Sequence, residues 1–196
     1  MTKILIILVS FFLLAGIAFL FSFKMNRIET PDYKVIKTIG NVEIRHYPKM
    51  IVAKTALANA SYKENSNQGF RTIAGYIFGG NEKEEKIAMT APVVMQMGDS
   101  ATMYFVMPRK YGMGQLPKPK DQKVQIVEET EKTLAVIRFG GYSNDQKIKT
   151  HCEELSAVLK KNGISTKGGF IYMGYNAPWD FINRRNEVAI EVLVNK

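Results

Sequence analysis

A chain with two histidines and one cysteine has few side chains able to bind metal or act as nucleophiles. His46 ends the run Val42-Glu43-Ile44-Arg45-His46-Tyr47, where strand alternation sets it with Val42 and Ile44 on an apolar face and puts Glu43, Arg45 and Tyr47 on the other. An imidazole placed there is either a half-buried residue satisfied by a carbonyl or the single protein ligand of an iron porphyrin in an apolar cavity. His151 and Cys152 are adjacent on a predicted helix and point about a quarter-turn apart, which argues against a Cys–His dyad and leaves Cys152 as a small core residue. A lone cysteine forms no internal disulfide, and with only two histidines beside it there is no closed structural zinc site.

Met89, Met95 and Met97 share one face of a predicted strand, as core filler or as a soft wall against a flat hydrophobic ligand. Arg184-Arg185, in a loop before the last strand, is the most concentrated place for pairing with a carboxylate, the alternative being a solvated turn. No phosphate-cradling G-x-x-x-x-G-K-[ST] loop, G-x-S-x-G elbow or H-E-x-x-H helix is present. The net charge is +9, yet the lysines are scattered singly and no arginine stripe interleaves with aromatics, so nucleic acid is a poor partner. Anionic lipid or the carboxylates of a ligand suit that dispersed charge better.

These residues need a scaffold, and the hydrophobic pattern supplies one. Strands are predicted at Val42 to Tyr47, Met50 to Leu57, Ile87 to Met97 and Thr102 to Met107, then at Val124 to Glu128, Thr133 to Phe139, Gly169 to Tyr175 and Glu187 to Val194. Phe70, Ile73, Ala74, Ile77 and Phe78 form one helical stripe, stopped by Gly79-Gly80-Asn81. Ile148, Cys152, Leu155 and Leu159 form a second, opened by a Ser143/Gln146 capping box and closed by Gly163. The order strand, strand, helix, strand, strand thus occurs twice, in pseudo-repeats of about 31–108 and 123–196. This predicts an α+β domain of two sheets, or one closed sheet with a pair of helices, and a seam where a ligand can bind.

Ahead of that domain, the twenty residues from Ile4 to Phe23 carry no charge and lie between Lys3 and Lys24. A helix there is roughly 30 Å long, the thickness of a bilayer's hydrocarbon core. Residues 1–24 therefore read as a single-pass transmembrane anchor, 25–30 as a linker and 31–196 as one domain. A cleaved signal peptide is the rival reading. The flanking charges nearly cancel, and by analogy with signal-like anchors the domain is expected on the extracytoplasmic side. The 46% hydrophobic content thus combines an apolar segment with an ordinary domain, and all but one unit of the net charge lies from Lys24 onward.

Several segments together resemble the SOUL/haem-binding protein family: Val42 to Tyr47, Gly69-Phe70 through Tyr76 to Asn81, Lys86 to Val93, Gly174 to Pro178, and Arg184-Arg185-Asn186-Glu187-Val188. The resemblance runs from about Glu29 to the C-terminus. It implies a duplicated fold, a distorted eight-stranded barrel flanked by two helices, that binds haem or another tetrapyrrole non-covalently in a surface apolar groove. On that reading His46 is the axial iron ligand, Ile44, Met89 and Met95 cover the macrocycle, and Arg184 and Arg185 meet the propionates. A tryptophan often found after the histidine motif in the family is absent, replaced by Met50 to Lys54. The expected function is membrane-tethered tetrapyrrole binding without catalysis. The alternatives are a tetrapyrrole-modifying enzyme, for dechelation or oxidation, and a protein or lipid interaction module that holds no haem.

Overall fold

The computed structural model describes residues 28–98 and 100–193. The expected anchor at residues 1–24 lies outside them, and among the described residues no helix is long and apolar enough to cross a membrane. Nine strands and two helices follow the chain: β1 (Lys34–Ile39), β2 (Val42–Tyr47), β3 (Met50–Ala56), α1 (Tyr62–Ile77), β4 (Val93–Gln96), β5 (Thr102–Val106), β6 (Gln125–Glu129), β7 (Lys132–Phe139), α2 (Asp145–Lys161), β8 (Thr166–Gly174) and β9 (Asn186–Val192). All strand pairs are antiparallel, in one curled sheet of order β1-β2-β7-β9-β8-β4-β5-β3-β6.

Read outward from the central β8–β4 pair, β9, β7 and β2 on one side answer β5, β3 and β6 on the other. The first strand of each half is exchanged: β2 pairs with β7 of the second half and β6 with β3 of the first. Eight strands are those expected from the sequence. The ninth, β1, is an exposed edge whose side chains show no alternating burial, so no apolar period marks it. With β1 and β6 as free ends, the sheet is open rather than a closed barrel.

Both helices pack on the same face. Ile148, Cys152, Leu155 and Leu159 of α2 lie on Val42, Ile44, Ala135, Ile137 and Val188, while Ile73, Tyr76 and Ile77 of α1 lie on Ala53, Met103 and Phe105. Burial pushes the Cys152 thiol up to about 11, as expected of an inert core cysteine. A third cluster, with Val52, Val94, Tyr104, Leu134, Val136 and Met173, belongs to the opposite face and contains no helix residue.

Local chemistry fixes the helix ends. Ser61 caps α1, its side chain accepting from Glu64 N–H. The helix therefore begins well before the Phe70 stripe, through a polar first half that packs little core. Asn144, rather than Ser143, caps α2 by accepting from Lys147 N–H. After α1, Gly79 takes φ +112°, and a Cβ on Gly80 would stand 2.6 Å from the Gly75 carbonyl oxygen, so this stop requires glycine. The expected strand Ile87 to Met97 is regular only over Val93–Gln96. Before it, Thr90 leaves the ladder and its hydroxyl donates to Val106 O at 2.6 Å.

Candidate functional site

The residues expected to form the site are not brought together. Ile44 and Met95 are buried in the cluster beneath α2, and Met89 packs at the edge of the cluster beneath α1. His46 is 40% exposed, its Nε2 3.9 Å from Glu131, and its sheet neighbours are Lys34 and Thr133. The expected apolar face is real for Val42 and Ile44, but His46 stands where that face reaches solvent. Among the described residues no group of three or more His, Cys, Asp or Glu could hold a metal ion.

The opposite face of β2, read from alternation as its polar side, is covered as well. Arg45 and Tyr47 are each 4% exposed. Arg45 forks onto Glu187, with Nη1 to Oε2 at 2.9 Å and Nη2 to Oε1 at 3.2 Å. Arg185 adds Nε and Nη2 to Oε1 at 3.0 and 2.8 Å, and the Tyr175 hydroxyl donates to Oε2 at 2.8 Å. Arg45 also lies over the Tyr33 ring and Arg185 over Tyr175. Burial pushes the Glu187 carboxyl up, but the two guanidiniums outweigh it and hold the group below its ordinary range. Burial first, and Glu187 beside it, raise the Tyr175 phenol. Arg185 is thus committed to an internal carboxylate rather than waiting for a ligand's.

This node fixes the base of the β8–β9 connection, residues 175–185, which differs from its counterpart in the first half, the short link between β4 and β5. Inside the loop Tyr175 N–H donates to Arg185 O, Arg185 N–H to Asn176 Oδ1, and Ala177 N–H to Asp180 Oδ2. Arg184 Nη1 binds the Ala177 and Asp180 carbonyls, and its guanidinium lies 4.3 Å over the Tyr142 ring. Its Nε is buried and has no hydrogen-bond partner among the described residues. With the backbone so tied, the apolar side chains are left outside. Trp179 and Phe181 are each 75% exposed, Ile182 70% and Tyr142 57%. Three large apolar side chains of one short loop are thus exposed, with Tyr142 tied to that loop through Pro178 O, and exposed apolar residues close together in the chain are the kind of feature that interaction sites carry.

Cations border this rim. Lys147 Nζ donates to Gly140 O and lies 5.6 Å from the Phe139 ring centroid. The Asp145 carboxylate accepts from Tyr62 and Lys63 N–H, drawing the start of α1 to the start of α2. Sequence reasoning missed Trp179, Phe181 and Ile182. Their signal was three large apolar residues set among Pro, Asp and Asn with no helix or strand period.

A flat macrocycle fits such a rim: aromatic faces for the ring system, and Arg184 and Lys147 beside it for carboxylates. Axial ligation from His46 does not fit the same position. His46 pairs with Thr133 near the start of β7, whereas Phe139, at its end, pairs with Asn186 beside the loop. At about 3.3 Å per residue that separation is roughly 20 Å.

The fold is an α+β domain of two similar halves, and comparison with known proteins gives its family. A family model described as SOUL heme-binding protein matches residues 28–191. Heme-binding protein 2 from Mus musculus is 31% identical over 174 residues, covering 82% of this chain and 84% of the relative. The human Heme-binding protein 2 is 30% identical over the same coverage. The chain belongs to the SOUL heme-binding family. A solved structure, the EcmrR C-terminal domain, superposes with a TM-score of 0.61 at 10% identity over 83% of this chain and 99% of that one, a likeness of fold alone.

Proposed function

We propose that this protein holds haem or a related tetrapyrrole reversibly and without a covalent bond, face-on against the 175–185 loop. Membership of a heme-binding family supports a tetrapyrrole ligand. The observation that carries the location is the exposure of Trp179, Phe181 and Ile182 on a loop whose backbone is internally tied. In this reading the aromatic side chains cover one face of the macrocycle, and Arg184 and Lys147 meet its carboxylates. When bound, haem would supply its own iron chemistry; the chain's part is to bind, orient and shield one face from water. His46 plays no part at this position.

Full-length protein in detergent micelles, titrated with hemin, is expected to give a saturable Soret shift at one equivalent. Replacing both Trp179→Ser and Phe181→Ser should weaken it by about tenfold or more, the scale of losing aromatic anchors at an interface, with thermal stability unchanged. His46→Ala should leave the affinity as it was. Absence of saturable binding, or a double variant that binds like the parent, would overturn the reading. Vesicle binding by a protein indifferent to hemin would assign the loop to lipid instead.

A further inference from the structure

The chain enters the domain beside the base of the exposed loop. Residues 29–33 form a strap there. Ala91 N–H donates to Glu29 O at 2.9 Å, and Arg109 binds the Glu29 carboxylate through its backbone N–H and Nε, Asp32 through Nη1 and Thr30 O through Nη2. Pro31 then lines the same small cavity as Pro92 and Met173, and the next residues along the chain, Val93 and Gly174, pair in the β4–β8 ladder. Tyr33 ends the strap against Arg45, whose guanidinium carbon lies 4.4 Å from its ring centroid. Arg45 meets Glu187, which Tyr175 and Arg185 also bind. Both ends of the 175–185 loop are therefore linked to the strap through one ion cluster.

Ahead of the strap, Lys24 closes the uncharged run Ile4 to Phe23, and only Met25 to Ile28 separate it from Glu29. Five steps of chain span at most about 18 Å. A domain of this size is about 40 Å across, and the headgroup layer is about 5–8 Å deep. With the uncharged run in a bilayer, the reading expected from the sequence, the short link holds the strapped part of the domain at the membrane surface. The loop goes with it.

The loop's composition suits that place. Trp179, Phe181 and Ile182 are side chains of the kind that lodge at a membrane–water interface. Asp180, the loop's one acid, accepts from Ala177 N–H within the loop. Arg184 and Lys147 stand at the border, where anionic headgroups attract cations.

We propose that the 175–185 loop rests in the surface of the bilayer that holds the chain's own apolar segment, with Trp179, Phe181 and Ile182 among the upper acyl chains. Lipid is the partner of this surface. A tetrapyrrole at the loop, which rests on the reading above, then has protein on one face and lipid on the other.

Trp179 is the single tryptophan of the chain and reports its own surroundings. Full-length protein is reconstituted without hemin into phosphatidylcholine–phosphatidylglycerol vesicles, made with plain lipid or with lipid brominated on the acyl chains. Trp179 emission is expected to be blue-shifted, to lose most of its intensity in brominated lipid, and to resist quenching by aqueous acrylamide. A second variant moves the probe: Trp179→Phe with Lys160→Trp sets it near the far end of α2, roughly 20 Å from the helix start. Its emission should stay solvent-like and indifferent to brominated lipid. Solvent-like Trp179 emission in vesicles, equal quenching at the two positions, or a blue shift that brominated lipid leaves unquenched, as when a second copy covers the loop, would each overturn the proposal. A chain that fails to bind hemin yet shows quenched Trp179 sinks the tetrapyrrole reading alone. One that binds hemin with Trp179 in water sinks this proposal alone.

Discussion

Two carboxylates on the helix-free face each hold two cations, and they are built differently. Glu187 is fully buried and takes five hydrogen bonds, four from the planar forks of Arg45 and Arg185 and one from Tyr175. Glu129 is 14% exposed and meets only the flexible ammoniums of Lys54 and Lys132, themselves 27% and 23% exposed. Guanidinium forks saturate a carboxylate and fix its geometry. An ammonium on a four-carbon stem leaves donors free to turn elsewhere. The first cluster is therefore architecture, locking the base of the exposed loop to β2. The second is an adjustable pairing near the sheet's β6 edge.

The strongest way to break this contrast is Glu187→Ala, which leaves the buried Arg45 with only the half-exposed Glu43 as counter-charge and the part-buried Arg185 with none of its carboxylate bonds. It should cost about 3–5 kcal/mol, measured by urea denaturation, and should blur the 175–185 loop in amide exchange. Acid offers a subtler test. Because the folded Glu187 carboxyl is held below its ordinary value of 4.5, its contribution is fully present above that pH and is lost as pH falls through the lowered folded value. Stability should thus stay level from neutrality towards pH 4.5 and then drop, and the drop should be shallower in Glu187→Gln. The smallest effect is expected of Glu129→Gln, at most about 1 kcal/mol for a partly exposed pair. Were it to destabilise as much as Glu187→Ala, the two clusters would be doing the same work.

The sequence was most legible where one face of an element is apolar and the other wet. The α2 stripe Ile148, Cys152, Leu155 and Leu159 is of this kind, and so are the eight strands that pack a core on at least one face. Alternation was misleading on β2, because Arg45 and Tyr47 are as buried as Val42 and Ile44, and a two-letter pattern of apolar and polar cannot announce a buried ion pair. β1 carries two lysines among exposed apolar residues and gives no period at all. His46 drew attention as the histidine of a strand, yet its surroundings depend on where the covering helix ends, which local sequence does not encode. Trp179, Phe181 and Ile182 sit in a segment without periodicity, so only the fold reveals that nothing among the described residues covers them.

The exchange of first strands between the halves has a consequence for how the domain comes apart. β2 is hydrogen-bonded to the second half through β7, β6 to the first through β3, and β4 to β8 between them. No cut separates the repeats without breaking three ladders, and either half released alone would lack a strand and expose its apolar faces. Two similar halves suggest two modules that melt in turn. The pairing forbids it: heat or denaturant should take the whole domain in a single cooperative transition, and the two ion clusters, though at different places on the sheet, should be lost together.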